Sequence, residues 1–185
     1  MICKDDEYFD YLKNRSSFKM FLRKFLLKGV SGNFRGKVLD VGCGIGEFLE
    51  VYPNSEGCEI NEKTIEYCKS KGLKVFCCDI QKSVPKGSYD GVFCSNVLEH
   101  LQNYMKALEN IDKLVKEGCV FILILPNKQG FEHDRTHNPD FDYGKAIGWL
   151  KEHGYKIKKS RLLKLPVPVW FNDIVFVCKK TGQPK

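Results

Sequence analysis

Two stretches of the sequence carry residue types that can do chemistry. The first is Val38 to Glu50, VLDVGCGIGEFLE, where an apolar run passes through Asp40 into three alternating glycines, Gly42, Gly44 and Gly46. Glycines at a strand end admit positive φ and let a ligand approach the backbone closely. The second is His133-Asp134-Arg135-Thr136-His137, the densest polar cluster in the chain. With an unperturbed pKa near ~6.5, a histidine there can take a proton at neutral pH.

Spacing narrows what each stretch can do. A dinucleotide turn needs G-x-G-x-x-G, with a third glycine that packs the helix against the strand. Glu47 occupies that position, and an acid there would face a pyrophosphate. The spacing is instead D-x-G-x-G-x-G. In the second stretch, His133 and His137 have the H-D-x-x-H spacing of a two-histidine metal site. They lie between Gly130 and Pro139 rather than on a secure helix, aspartate stands where glutamate is usual, and spacing fixes no third ligand. No metal is expected.

These residues need elements to hold them. Apolar residues recur at helical spacing from Asp5 to Lys28, which Gly29 and Gly32 end. Short apolar strands are expected at Lys37–Val41, Glu56–Ile60, Leu73–Cys78, Tyr89–Cys94 and Cys119–Leu125. Between them fall helices at Glu47–Tyr52, Glu62–Lys71 (capped by Asn61) and Leu101–Lys116. Asn127–Asp140 reads as a loop and Phe141–His153 as a helix. Two last strands, Tyr155–Leu165 and Asp173–Lys179, are joined by a turn containing Pro166 and Pro168. That link is too short for a crossover helix, so one strand is antiparallel. Alternating strands and helices give an α/β fold with a mainly parallel sheet and helices on both faces.

On this frame, motif and order together resemble the class I S-adenosylmethionine-dependent methyltransferases, over about Gly36 to Gly154. The resemblance implies a Rossmann-like seven-stranded sheet with one antiparallel strand near the C-terminus. It implies that Asp40, Gly42, Cys43, Gly44, Gly46 and Phe48 of the glycine motif line the cofactor. Glu59, 19 residues after Asp40, would bind both ribose hydroxyls. Asp79 would accept the adenine amino hydrogens, with Ile60 and Ile80 against the ring. In SNVLEHL, Ser95, Asn96 and Val97 would line the methionine half. Thr136 to Phe141 is similar to a T-H-x-x-x-F stretch near the acceptor in small relatives, which makes His137 the candidate catalytic group. The alternative for His137 is a structural one, capping the next helix or bonding a backbone carbonyl. Glu99 and His100 either touch ligand or hold the loop, with Glu99 placed to cap the helix from Leu101. The turn KEGC departs from the Pro-Gly-Gly type usual in the family. Three subregions follow within one domain of 185 residues: an N-terminal helical cap (1–36), a cofactor-binding core (37–126) and an acceptor-side loop, helix and last strands (127–185). Tyr8, Phe9 and Arg15 could close over the cofactor, whereas Phe21, Leu22 and Phe25 are expected to pack against the sheet.

Composition sets the outer limits. The longest apolar run, Val120–Pro126, is far short of the ~18 residues a membrane span needs. Nine cysteines, an odd number without a C-x-x-C pair, argue for a reducing cytoplasm rather than a disulfide framework. The net charge is +7, and its whole excess lies in residues 151–185. Lys13 to Lys37 adds eight basic residues and no acid. Such patches attract anionic partners or form a solvated surface. No aromatic-interleaved RNA motif is present. The expected activity is methyl transfer from S-adenosylmethionine, leaving S-adenosylhomocysteine, to a small-molecule acceptor. The rival readings are an RNA or protein methyltransferase and a non-catalytic partner protein that keeps the fold. An NAD-dependent oxidoreductase is disfavoured by Glu47.

Overall fold

Val38–Val41 (β1) is buried at all four positions, as a strand covered on both faces requires. The computed structural model that shows this describes residues 6–134, 136–162 and 173–182. Beside β1, in parallel, lie Ser55–Glu59 (β2) on one side and Gly91–Ser95 (β4) on the other. Val75–Cys77 (β3) extends the sheet beyond β2, and Val120–Pro126 (β5) extends it beyond β4. Tyr155–Leu162 (β6) and Asp173–Lys180 (β7) complete the order β3-β2-β1-β4-β5-β7-β6. β7 runs antiparallel to both its neighbours, so the single reversed strand falls where the short link required it. That link, with Pro166, Pro168 and the end of the expected strand at Leu165, lies outside the described residues.

The chain leaves β1 for β2 on one side and returns to β4 on the other. The carboxyl ends of β1, β2 and β4 therefore converge where strand order reverses, which is where open α/β sheets bind ligands. Five further helices surround the sheet after the N-terminal pair: Glu47–Val51 (α3), Glu62–Ser70 (α4), Tyr104–Leu114 (α5), Lys128–His133 (α6) and Tyr143–Glu152 (α7). Most begin at a side-chain cap. Asn61, Asn103, Asn127 and Asp142 each accept from the amide three residues on. Asn103, not Glu99, thus starts α5, and Leu98–His100 forms a separate 3-10 turn. Part of the expected loop after β5 is the helix α6.

Each face of the sheet buries its own core. Leu39, Val41, Val92 and Cys94 pack with Leu108 and Ile111 of α5 and Leu150 of α7. Val38, Phe93, Ile122 and Ile124 pack on the other face, with Phe48 of α3 and Ile65 of α4. Burial raises the thiols of Cys58 and Cys94, so they act there as neutral hydrophobes. Among the described residues no helix is long and apolar enough to cross a membrane.

The N-terminal segment departs from expectation. It is two helices, Asp6–Lys13 (α1) and Ser17–Ser31 (α2), because Ser16 caps the second and breaks the first. The face of α2 turned inward is Arg23, Leu27 and Val30; Phe21 and Phe25 are 69% and 68% exposed. Phe48 is displaced the other way. It is 2% exposed and stacks on Phe93 with centroids 4.2 Å apart, so it is a core residue rather than a wall of a ligand site. Phe48→Ala is expected to cost about 3–5 kcal/mol in urea denaturation. Phe21→Ala should stay within about 0.5 kcal/mol of the parent. The reverse ranking would contradict this packing.

Candidate functional site

Gly42, Gly44 and Gly46 have φ of 68°, 51° and 81°, a left-handed run that only glycine adopts without strain. The turn leaves β1 and folds over the end of β2. A Cβ on Gly42 would stand 2.4 Å from Val97, so the backbone and the loop after β4 meet there without room for a side chain. Gly46 serves the helix instead: it is the residue from which α3 starts, and its bare face abuts Leu73.

Glu59 ties the turn in place. It is 4% exposed, and its carboxylate accepts from the amides of Gly44 (2.9 Å), Ile60 (2.7 Å) and Asn61 (3.2 Å). Burial raises its pKa, and the three amides counter that rise. Oε1 takes two of these bonds and Oε2 one, so Oε2 retains acceptor capacity. A cleft open to solvent lies there. Its walls are Tyr8, Val41, Gly42, Cys58, Glu59, Ile60, Cys78, Asp79, Ile80, Asn96, Val97, His100 and Leu101.

Seven of the residues expected at the site line this cleft: Gly42, Glu59, Ile60, Asp79, Ile80, Asn96 and Val97. Asp79 is partly exposed. Burial would raise its pKa, but the Lys82 ammonium (3.1 Å) and the bonds from Gln81 hold it below the usual carboxylate value. Asn96 takes φ 53°, a strained value outside glycine, and its amide nitrogen donates to Asp173 at 3.4 Å. Its carbonyl oxygen Oδ1 is buried without a partner among the described residues.

Other expected residues stand elsewhere. Cys43 is buried with its sulfur against Gly57, and Phe48 belongs to the core. Gly44 and Gly46 shape the turn rather than the cleft wall. Ser95 accepts from Arg23 at 3.5 Å. Asp40 is 3% exposed beneath the turn; burial, and then the charge of Glu59, push its pKa well above the ordinary value. Of the expected cover, Tyr8 reaches the cleft, but Phe9 packs on Tyr67 and Arg15 is held by Glu47 at 3.0 Å.

Sequence reading missed Arg23. Its Nε lies 2.9 Å from Glu47, close enough for an ion pair though poorly angled for a hydrogen bond. It sits among Asp40, Glu47, Ser95 and Asp173. The signal was available, since a basic residue shares the Leu27–Val30 helix face, but it was read as solvated charge.

The second polar cluster assembles differently from its spacing. The side chain of Arg135 lies outside the described residues. His137 Nδ1 donates to the Phe131 carbonyl (2.9 Å), the structural contact considered for it. It does not cap α7, which starts from Asp142. Its ring lies against Phe131 and against His100, with centroids 4.7 and 4.8 Å away. His100 lines the cleft and His137 stands one ring back. Glu99 beside them is wholly buried, and burial pushes its carboxyl up to about 8.

Comparison with known proteins gives this arrangement its relatives. A family model described as a methyltransferase domain matches residues 11–160. A protein of Methanocaldococcus jannaschii is 31% identical over 150 residues, covering 75% of this chain and 66% of its own length. The tRNA (carboxymethyluridine(34)-5-O)-methyltransferase of Arabidopsis thaliana is 33% identical over 93 residues, 47% of this chain and 23% of that protein. The chain thus spans at most about two thirds of the curated relatives it matches. In fold it is similar to a SAM-dependent methyltransferase from Archaeoglobus fulgidus, with TM-score 0.73, 24% identity, and 95% and 100% of the two chains covered.

The buried acid beneath the turn yields a test of the electrostatics. A carboxylate with a raised folded pKa keeps its proton longer in the native state than in the unfolded one. Native stability therefore falls as pH rises from the ordinary carboxylate value through the folded one. Asp40→Asn removes that penalty. Denaturation curves across pH are expected to show the variant more stable than the parent above the folded pKa, with the difference vanishing below the ordinary value of 3.8. A variant that loses stability at neutral pH would refute the burial cost assigned to Asp40.

Proposed function

Because the chain belongs to the class I S-adenosylmethionine-dependent methyltransferase family, we propose that it binds S-adenosylmethionine in the cleft at the strand ends and transfers its methyl group to a small-molecule acceptor. The observation that carries this reading is Glu59, a buried carboxylate fixed by three amides at the cleft, with acceptor capacity left on Oε2 for a ligand hydroxyl. The residues present fit the cofactor in two further respects. Gly42 presents bare backbone at the cleft wall, and the orphaned Asn96 Oδ1 can accept from an ammonium. When bound, the cofactor supplies a methyl group already activated by its positive sulfur.

The protein's own part is then binding, orientation and exclusion of water. Glu59 holds the ribose hydroxyls and Asp79 the adenine amino group, between Ile60 and Ile80. Asn96 and Val97 border the methionine half, and Tyr8 of α1 covers the opening. Acidic groups near a cationic ligand lower its energy in a dry site, and alignment of two reactants supplies much of the rate. The groups that could receive a proton from the acceptor are His100, at the cleft wall, and His137 behind it. In this reading residues 1–36 form the cover, 37–126 the cofactor half and 127–185 the acceptor side.

A small acceptor is favoured over RNA because much of the basic N-terminal stretch is already neutralised. Arg15 and Arg23 pair with Glu47, Lys24 with Glu50, and Lys37 with Glu56. The tRNA-methylating relative keeps RNA as the second reading, and its binding would weaken steeply with salt.

Calorimetry with S-adenosylhomocysteine is expected to show one site per chain. Glu59→Ala and Asp79→Ala should each weaken it by roughly 1–3 kcal/mol. Unchanged affinity in both variants would remove those roles, and no binding to the parent chain would remove the proposal. A labelled-methyl screen over small molecules, peptides and total RNA then assigns the acceptor class.

A further inference from the structure

Glu99, His100 and His137 place one ligand atom each within 4.8 Å of one another. The fold builds this cluster from two places. Glu99 and His100 sit on the 3-10 turn after β4. His137 arrives on the segment after α6, which Asn138 fastens down: its amide donates to the Glu99 carbonyl at 2.7 Å, and its side chain to the Leu101 carbonyl at 2.7 Å.

What the three groups offer is lone pairs. His137 Nδ1 lies 2.9 Å from the Phe131 carbonyl oxygen, which can only accept, so Nδ1 donates there and Nε2 is the ring nitrogen left for a ligand. His100 Nδ1 is likewise engaged, 3.3 Å from the Thr136 carbonyl and 3.1 Å from its hydroxyl. Glu99 is fully buried, and neither of its carboxylate oxygens accepts from another described residue; only its own amide lies close. Asp134 stands 3.9 Å from His137 Nε2, beyond hydrogen-bond reach. Two imidazole rings thus converge with a buried carboxyl group whose oxygens have no other partner among the described residues. Such a set is completed by a cation, and imidazoles that give their other N–H to a backbone carbonyl are oriented as metal ligands are.

We propose that Glu99, His100 and His137 bind one divalent transition-metal ion, of the zinc, manganese or iron type that accepts two nitrogens and one oxygen. Three protein ligands leave positions open, and His100 puts them at the cleft wall. The role of the ion, unlike the site itself, rests on the methyl-transfer reading: it would take an acceptor hydroxyl oxygen as ligand and ease loss of its proton to solvent. The oxygen–carbon bond would form as the sulfur–carbon bond breaks, with the electron pair left on sulfur and the metal unchanged. The pair His133 and His137, which the sequence spacing suggested, is replaced by partners on another loop.

The full chain, stripped with chelator and kept reduced, is titrated with cobalt(II) and with manganese(II). One cobalt per chain is expected, with visible d–d bands and no thiolate charge-transfer band. His137→Ala and Glu99→Gln should each weaken binding by at least about 10-fold. Glu99→Gln keeps the shape of the buried side chain, and it should melt no lower than the metal-free parent, which separates loss of the ion from loss of the fold. Cobalt held only with a thiolate band, stoichiometric binding that survives both substitutions, or no binding at all would each overturn the site. S-adenosylhomocysteine affinity measured on the same samples reports on the cofactor reading separately: cobalt without nucleoside binding leaves the metal site standing and removes its catalytic role.

Discussion

The carboxylate of Glu59 is the constraint on which the rest of the site depends. It sits at the end of β2 and accepts from the Gly44 amide of the neighbouring turn, and so joins two strand ends that the sheet alone would leave independent. Burying a carboxylate is costly unless it is hydrogen-bonded, and three amides supply that compensation. The glycine turn in exchange is held in a left-handed path that exposes Gly42 to the cleft. A turn without that anchor would have to order itself against its own backbone entropy when ligand arrives. Here the chain has met that cost in advance.

The acids around this anchor would repel one another were they not balanced from the N-terminal helices. Glu47 occupies the first turn of α3, where the helix end favours a negative charge, and Arg15 and Arg23 both reach it. Arg23 also lowers the energy of ionised Asp40 and Asp173. The N-terminal helices are therefore tied to α3 by charge as well as by Leu27 and Val30. Tyr8 of α1 reaches the cleft wall beside them.

The parts of this arrangement legible in the sequence are those written in local pattern. Apolar strands, the glycine spacing and acids at successive strand ends are short-range signals, and the sheet order places Glu59 and Asp79 on one edge as the resemblance implied. Periodicity was less informative for α2. Phe18, Phe21 and Phe25 form an apolar stripe at helical spacing, yet the inward stripe is half-buried Arg23 with buried Leu27 and Val30. Hydrophobic spacing names faces of a helix, and only the partner decides which face is covered. Phe48 misled in the opposite sense. It follows the glycine motif directly, but one turn of α3 carries it to the other side of the sheet, onto Phe93.

The acceptor side was hidden for a different reason. The position of His137 is set by Asn138, which spends its amide and its side chain on carbonyls of Glu99 and Leu101, 37 or more residues earlier. Such contacts leave no periodicity and no motif, because any short polar segment can make them. They nonetheless fix the chemistry, since they bring a second imidazole against His100 and close the burial of Glu99. The glycine turn and the acids beside it are thus determined by strands that many sequences can supply. The segment that carries His137 is held by a few backbone carbonyls, whose oxygens accept from Asn138 and from His137 Nδ1.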